Sequence, residues 1–122
     1  MLTELRDYLR AVIPYDNQWF GIGKMDNTKD RALCLIGGEA VKGCGIGVVL
    51  ERVTIMVRWT GNVREAGRKA KEIYDAAGGL EFELGGRRCM LLNEYTGPVF
   101  KGTDHKGIYT YEINMELYTE EG

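Results

Sequence analysis

The chain has 122 residues, with 16 Lys+Arg against 18 Asp+Glu, one histidine, three cysteines, two prolines and 17 glycines. One domain over residues 1–122 is expected, long enough to bury a core without a metal or disulfide staple. No apolar run reaches the roughly 20 residues of a membrane span, and a net charge of -2 speaks against an obligate nucleic-acid binder. Cys34, Cys44 and Cys89 form no CxxC and suggest no disulfide framework. Charges at Glu4, Arg6 and Asp7 stand where a signal peptide would be apolar, so cytoplasmic synthesis and retention are expected. Glycine is the outlier, at about twice its usual share of ~7%.

Leu2, Leu5, Leu9, Val12 and Ile13 recur at helical spacing, and Pro14 ends that helix. Asn17 to Met25 reads as a strand, Asp26 to Asp30 as a polar turn, and Arg31 to Ile36 as a second strand. Gly37 to Gly47 reads as a loop carrying Gly37, Gly38, Gly43, Gly45 and Gly47. Val48 to Trp59 is the strongest strand, because Val53, Ile55, Val57 and Trp59 alternate with Arg52, Thr54, Met56 and Arg58.

Asn62-Val63-Arg64-Glu65 has the pattern of a capping box opening a helix. That helix gathers Ala66, Ala70, Ile73, Tyr74 and Ala77 on one face, and Gly78-Gly79 ends it. Leu80 to Leu84 and Arg87 to Tyr95 suggest a hairpin turning at Gly85-Gly86. Pro98 to Lys101 reads as a short edge segment, Asp104 to Gly107 as a turn, and Ile108 to Tyr118 as a final alternating strand. This order predicts an α+β fold, a mainly antiparallel sheet flanked by an N-terminal helix and one central helix.

Chemical signatures are sparse. Gly38 to Gly43 has the spacing of a phosphate-binding loop, but Cys44 replaces the required lysine and a strand follows instead of a helix. No metal-ligand spacing exists, and the absence of serine removes the serine hydrolases. Cys34 and Cys89 lie in apolar strands as small hydrophobes, and His105 in an exposed turn. The strand glutamates fit a solvated sheet face, and the basic residues Arg52, Arg58, Arg64, Arg68, Lys69 and Lys71 fit solubility and ion pairing, with contact to nucleic acid or an acidic partner as the alternative. No enzyme and no cofactor are expected.

The strand Val53 to Arg58, its polar turn, and Glu65-Ala66 opening a basic helix that ends near Gly79 together carry a resemblance. With the turn and strand from Asp104 to Asn114 and the helix from Leu2 to Ile13, the chain resembles the tail terminator or minor capsid proteins of tailed phages and prophages of Gram-positive bacteria. The resemblance implies a structural virion protein of the tail or neck, assembled in the host cytoplasm. It implies a self-assembled ring, six-membered in the common case, that caps the tail tube, ends its growth and joins tail to head. Its partners would be further copies, the tail tube protein, a head-completion or neck protein, and DNA passing without sequence preference.

Such a ring needs a contact surface. Val48, Leu50 and Met56 point opposite to Val53, Ile55 and Val57, and with Arg52 and Arg58 they make the expected oligomer interface. Gly37, Gly38, Gly43, Gly45 and Gly47 make the expected flexible assembly loop. Two rivals stand beside this reading: another head-tail neck protein, and a small ligand-binding or enzymatic α+β domain with a polar pocket.

Overall fold

Strict alternation over two long segments sets the centre of the molecule. The computed structural model describes residues 2–13, 19–26, 28–29, 31–42, 47–94 and 96–120. The elements run α1 (Leu2–Val12), β1 (Trp19–Ile22), β2 (Arg31–Lys42), β3 (Val48–Trp59), α2 (Val63–Ala77), β4 (Leu80–Leu84), β5 (Arg87–Asn93), β6 (Val99–Thr103) and β7 (Tyr109–Glu120). β3 and β7 pair antiparallel without a break, from Val48 opposite Glu120 to Trp59 opposite Tyr109. This puts Val53, Ile55 and Val57 on one face with Ile113, Met115 and Leu117, all buried.

The sheet grows outward from that pair in the order β1-β2-β3-β7-β5-β4, with β6 on the remaining length of β7. β5 covers Met115 to Thr119, and β6 covers Tyr109 to Glu112. All pairings are antiparallel except β1 with β2. The fold is therefore α+β with a mainly antiparallel sheet, as its alternating segments and two amphipathic helices require. β1 and β2 are parallel although residues 23–30 alone connect them, fewer than the dozen or more of a usual crossover.

Both helices lie on one face of the sheet. Leu5 and Leu9 of α1 and Ala66, Ile73 and Ala77 of α2 join the same buried cluster as the inner residues of β2, β3, β5 and β7. Asn62 caps α2 by accepting from the amides of Arg64 (3.0 Å) and Glu65 (3.1 Å). Only this half of the capping box forms as expected, since the Glu65 side chain turns to Arg31 at 3.4 Å. Tyr8 of α1 stacks on Phe82 of β4 with ring centroids 4.2 Å apart, so the far strand of the sheet reaches back to the first helix.

The glycine-rich stretch differs from expectation. Gly37 and Gly38 belong to β2, which continues to Lys42 and pairs with β3 across a bulge between Gly37 and Ala40. Glycine is used there for close approach. A Cβ on Gly37 would lie 2.8 Å from Leu2 Cδ1 of α1, and one on Gly38 would lie 2.5 Å from the Arg52 carbonyl oxygen. Gly47 is a turn residue at φ 78°, and Gly43 and Gly45 lie outside the described residues. β1 ends at Ile22, short of the expected Met25, and the expected short edge segment is the five-residue edge strand Val99–Thr103.

Gly38→Ala should therefore destabilise the fold by about 1–3 kcal/mol, because its neighbour is backbone and cannot rotate away. Denaturant unfolding monitored by circular dichroism checks this. An unchanged midpoint would mean that the bulge relaxes freely.

Candidate assembly surface

Side-chain parity divides the sheet into a helix-covered face and an outer face that neither helix covers. The even-numbered residues of β3 and β7 and the matching residues of β2 and β5 point outward. Arg52 lies opposite Glu116, Thr54 donates to Asn114 Oδ1 at 2.8 Å, and Met56 lies opposite Glu112. Opposite charges and paired polar groups thus alternate with apolar side chains.

The structure separates the five expected interface residues. Arg52 is exposed, Val48 and Met56 are half-buried, and Leu50 and Arg58 are buried. Three residues not singled out from sequence add apolar surface to the outer face: Ile36, Met90 and Leu92, each 37% exposed. The alternation of Met90 and Leu92 with Cys89 and Leu91 was the available signal, since both faces of β5 are apolar.

Arg58 was expected at the surface with Arg52, because the two share a face by parity. It is only 2% exposed, and the turn after β6 closes over it. Arg58 Nε (2.9 Å) and Nη2 (2.6 Å) both donate to Asp104 Oδ2. Asp104 Oδ1 accepts from the backbone amides of Lys106 (2.9 Å) and Ile108 (3.1 Å), which fixes the turn. Partial burial works to raise the Asp104 carboxyl. The amide of Ile108, the Arg58 guanidinium and the amide of Lys106 outweigh it and hold the group at about 2.

One guanidinium nitrogen is left over. Among the described residues, buried Arg58 Nη1 has no hydrogen-bond partner. Arg58 and Asp104 line a hollow of about 280 Å³ on the outer face, together with Met25, Cys34, Ile36, Met56 and Thr110. Cys34 is a free, fully buried thiol, and burial pushes its pKa up.

A second depression, of about 490 Å³, lies at the other end of the sheet, lined by Glu81, Glu83, Arg88, Met90, Tyr118 and Glu120 among others. A ligand-binding or enzymatic rival would need perturbed groups converging in a pocket. Among the described residues, the carboxyls held below their usual range are Asp26, through its Thr28 turn, and Asp104, through its turn amides and Arg58. Asp26 accepts from the Thr28 hydroxyl (2.5 Å) and amide (3.0 Å). No group of three or more His, Cys, Asp or Glu among the described residues is placed to hold a metal ion. His105 is exposed in the Asp104 turn, and Cys89 is buried as expected.

The arrangement suits association more than chemistry: a mixed polar and apolar sheet face, with one soft-walled hollow backed by a guanidinium. In comparison with known proteins, a family model described as bacteriophage tail terminator protein matches residues 11–121. No curated protein matches the chain.

The Asp104 clamp predicts a specific acid response. The folded carboxyl titrates near 2 against an ordinary 3.8, so its contribution is complete above pH 3.8 and fades as pH falls through 2. Wild type should therefore exceed Asp104→Asn in stability at pH 5, and the gap should close toward ~pH 2. Urea denaturation of both chains across that range checks it. A gap independent of pH would show that the carboxylate charge is not what holds the turn.

Proposed function

The chain belongs to the bacteriophage tail terminator family, and on that footing we propose that it ends tail growth by assembling as a ring over the tube end. The ring is made of further copies of the chain, six in the expected case. It contacts the tail tube protein on one side and a head-completion or neck protein on the other. The function is stoichiometric: a covered tube end cannot add subunits. Family membership over residues 11–121 carries this reading.

The outer sheet face supports it physically. A monomer rarely needs apolar side chains such as Ile36, Met56, Met90 and Leu92 on a face that no helix covers. Arg52 and Glu116 among them supply both charge signs, which suits recognition of another protein more than of phosphate. A chain net charge of -2 also suits a channel through which DNA slides, because many phosphate contacts would hold it by counterion release. Of the expected assembly loop, Gly43, Gly45 and Gly47, between β2 and β3 in sequence, are assigned to contacts with a neighbouring copy or the tube.

Disruption of the gene in its phage should give tail tubes of uncontrolled length, with heads left unjoined in electron micrographs. Wild-type chain supplied in trans should restore joined virions, and Arg52→Glu should restore about tenfold fewer, the loss of one central polar contact. Tubes of normal length beside unjoined heads would place the chain with the neighbouring neck proteins instead.

A further inference from the structure

The hollow beside Arg58 has a counterpart on the opposite side of the sheet. Phe100 on β6 is 53% exposed, a large apolar side chain on an edge strand. It lies opposite Tyr111, and its ring leans on Tyr109 and Tyr111 at centroid distances of 5.9 and 5.4 Å. Those tyrosines pack against the helix-covered core, so Phe100 projects on the helix side, whereas the hollow opens on the outer side. One copy cannot seat its own Phe100 in its own hollow.

We propose that Phe100 of one copy seats in the Arg58 hollow of a second copy, forming a head-to-tail contact. The size is suitable. About 280 Å³ lies just below the roughly 300–1,000 Å³ of small-ligand pockets, which fits one ring better than a cofactor. The chemistry is suitable too. Met25, Met56 and Cys34 offer polarizable sulfur to an aromatic ring. The Arg58 guanidinium, which belongs to a lining residue of the hollow, offers a cation–π contact strengthened by burial. An anion is a poorer occupant, because Asp104 already neutralises Arg58 and Asp26 lies close enough to feel its charge. Exposed Lys101, next to Phe100 in sequence, can then meet Asp26, which follows the hollow-lining Met25. Because ring and hollow are different patches on opposite faces, the contact is heterologous and propagates until rotation closes it.

This inference deepens the self-assembly reading and rests on it, and mixing two variants tests it separately. Phe100→Asp removes the ring, and Ile36→Glu places a charge at the hollow's mouth. Both positions are exposed, and circular dichroism confirms folding. In sedimentation velocity the wild-type chain should form closed assemblies, and each variant alone should associate at least about tenfold more weakly. An equimolar mixture should give 1:1 pairs and stop there, since Ile36→Glu still carries Phe100 and Phe100→Asp still carries the hollow. Variants that assemble like wild type, or a mixture that stays monomeric, overturn the contact and leave the capping reading standing. A wild-type chain that stays monomeric up to about 1 mM overturns it as well; if that chain also fails to limit tube length, the ring reading falls with it.

Discussion

The unbroken pairing of β3 with β7 is the constraint on which the rest of the molecule depends. The two strands are separated in sequence by α2 and by β4, β5 and β6, yet they match residue for residue from Val48–Glu120 to Trp59–Tyr109. Because side chains alternate, a slip of one position would exchange the whole buried set for Arg52, Thr54, Glu112 and Asn114. The register is thus fixed by burial, and every other strand takes its face from this pair. β2 inherits it directly, and β5 and β6 share the far edge of β7 end to end.

That inheritance leaves two different faces. One carries α1 and α2 and is closed by aliphatic packing around Ile73, Leu91 and Met115. On the other, the turn held by Asp104 closes over Arg58 at one end, and Leu50 is buried toward the opposite end. A buried ion pair of this kind stabilises little by itself, because desolvation offsets the attraction, but losing one partner is costly. Its effect is mainly geometric. It ties a β6–β7 turn to the middle strand and shapes a cavity wall from a flat sheet.

How much was legible in the sequence follows from how local each cause is. β3, β7 and α2 were readable because alternation, helical spacing and the Asn62 cap act within a few neighbours. The continuation of β2 through Gly37 and Gly38 was not, because glycine usually breaks strands. Here it makes room for Leu2 and for the Arg52 carbonyl, neither of which is adjacent in sequence. Arg58 was assigned its correct face by parity, but its burial depends on Asp104, 46 residues away. Phe100 carried no periodic signal, since its exposure comes from the edge position of a short strand. The family resemblance was legible over most of the chain, and the family model matching residues 11–121 bears it out.

The parallel pairing of β1 with β2 has a consequence for how this sequence can vary. Residues 23–30 must return the chain from Ile22, level with Leu35, to Arg31, next to the partner of Trp19. That is four strand residues of backtracking, roughly 13 Å at about 3.3 Å each. The connection must also step about 5 Å to the next strand, a span of roughly 14 Å that nine Cα–Cα steps, reaching up to about 30 Å, cover with length to spare. The spare length is what lets Met25 reach the outer face beside Arg58 and Met56. Shortening this connection would therefore cost the hollow its Met25 wall before it cost the sheet its edge strand.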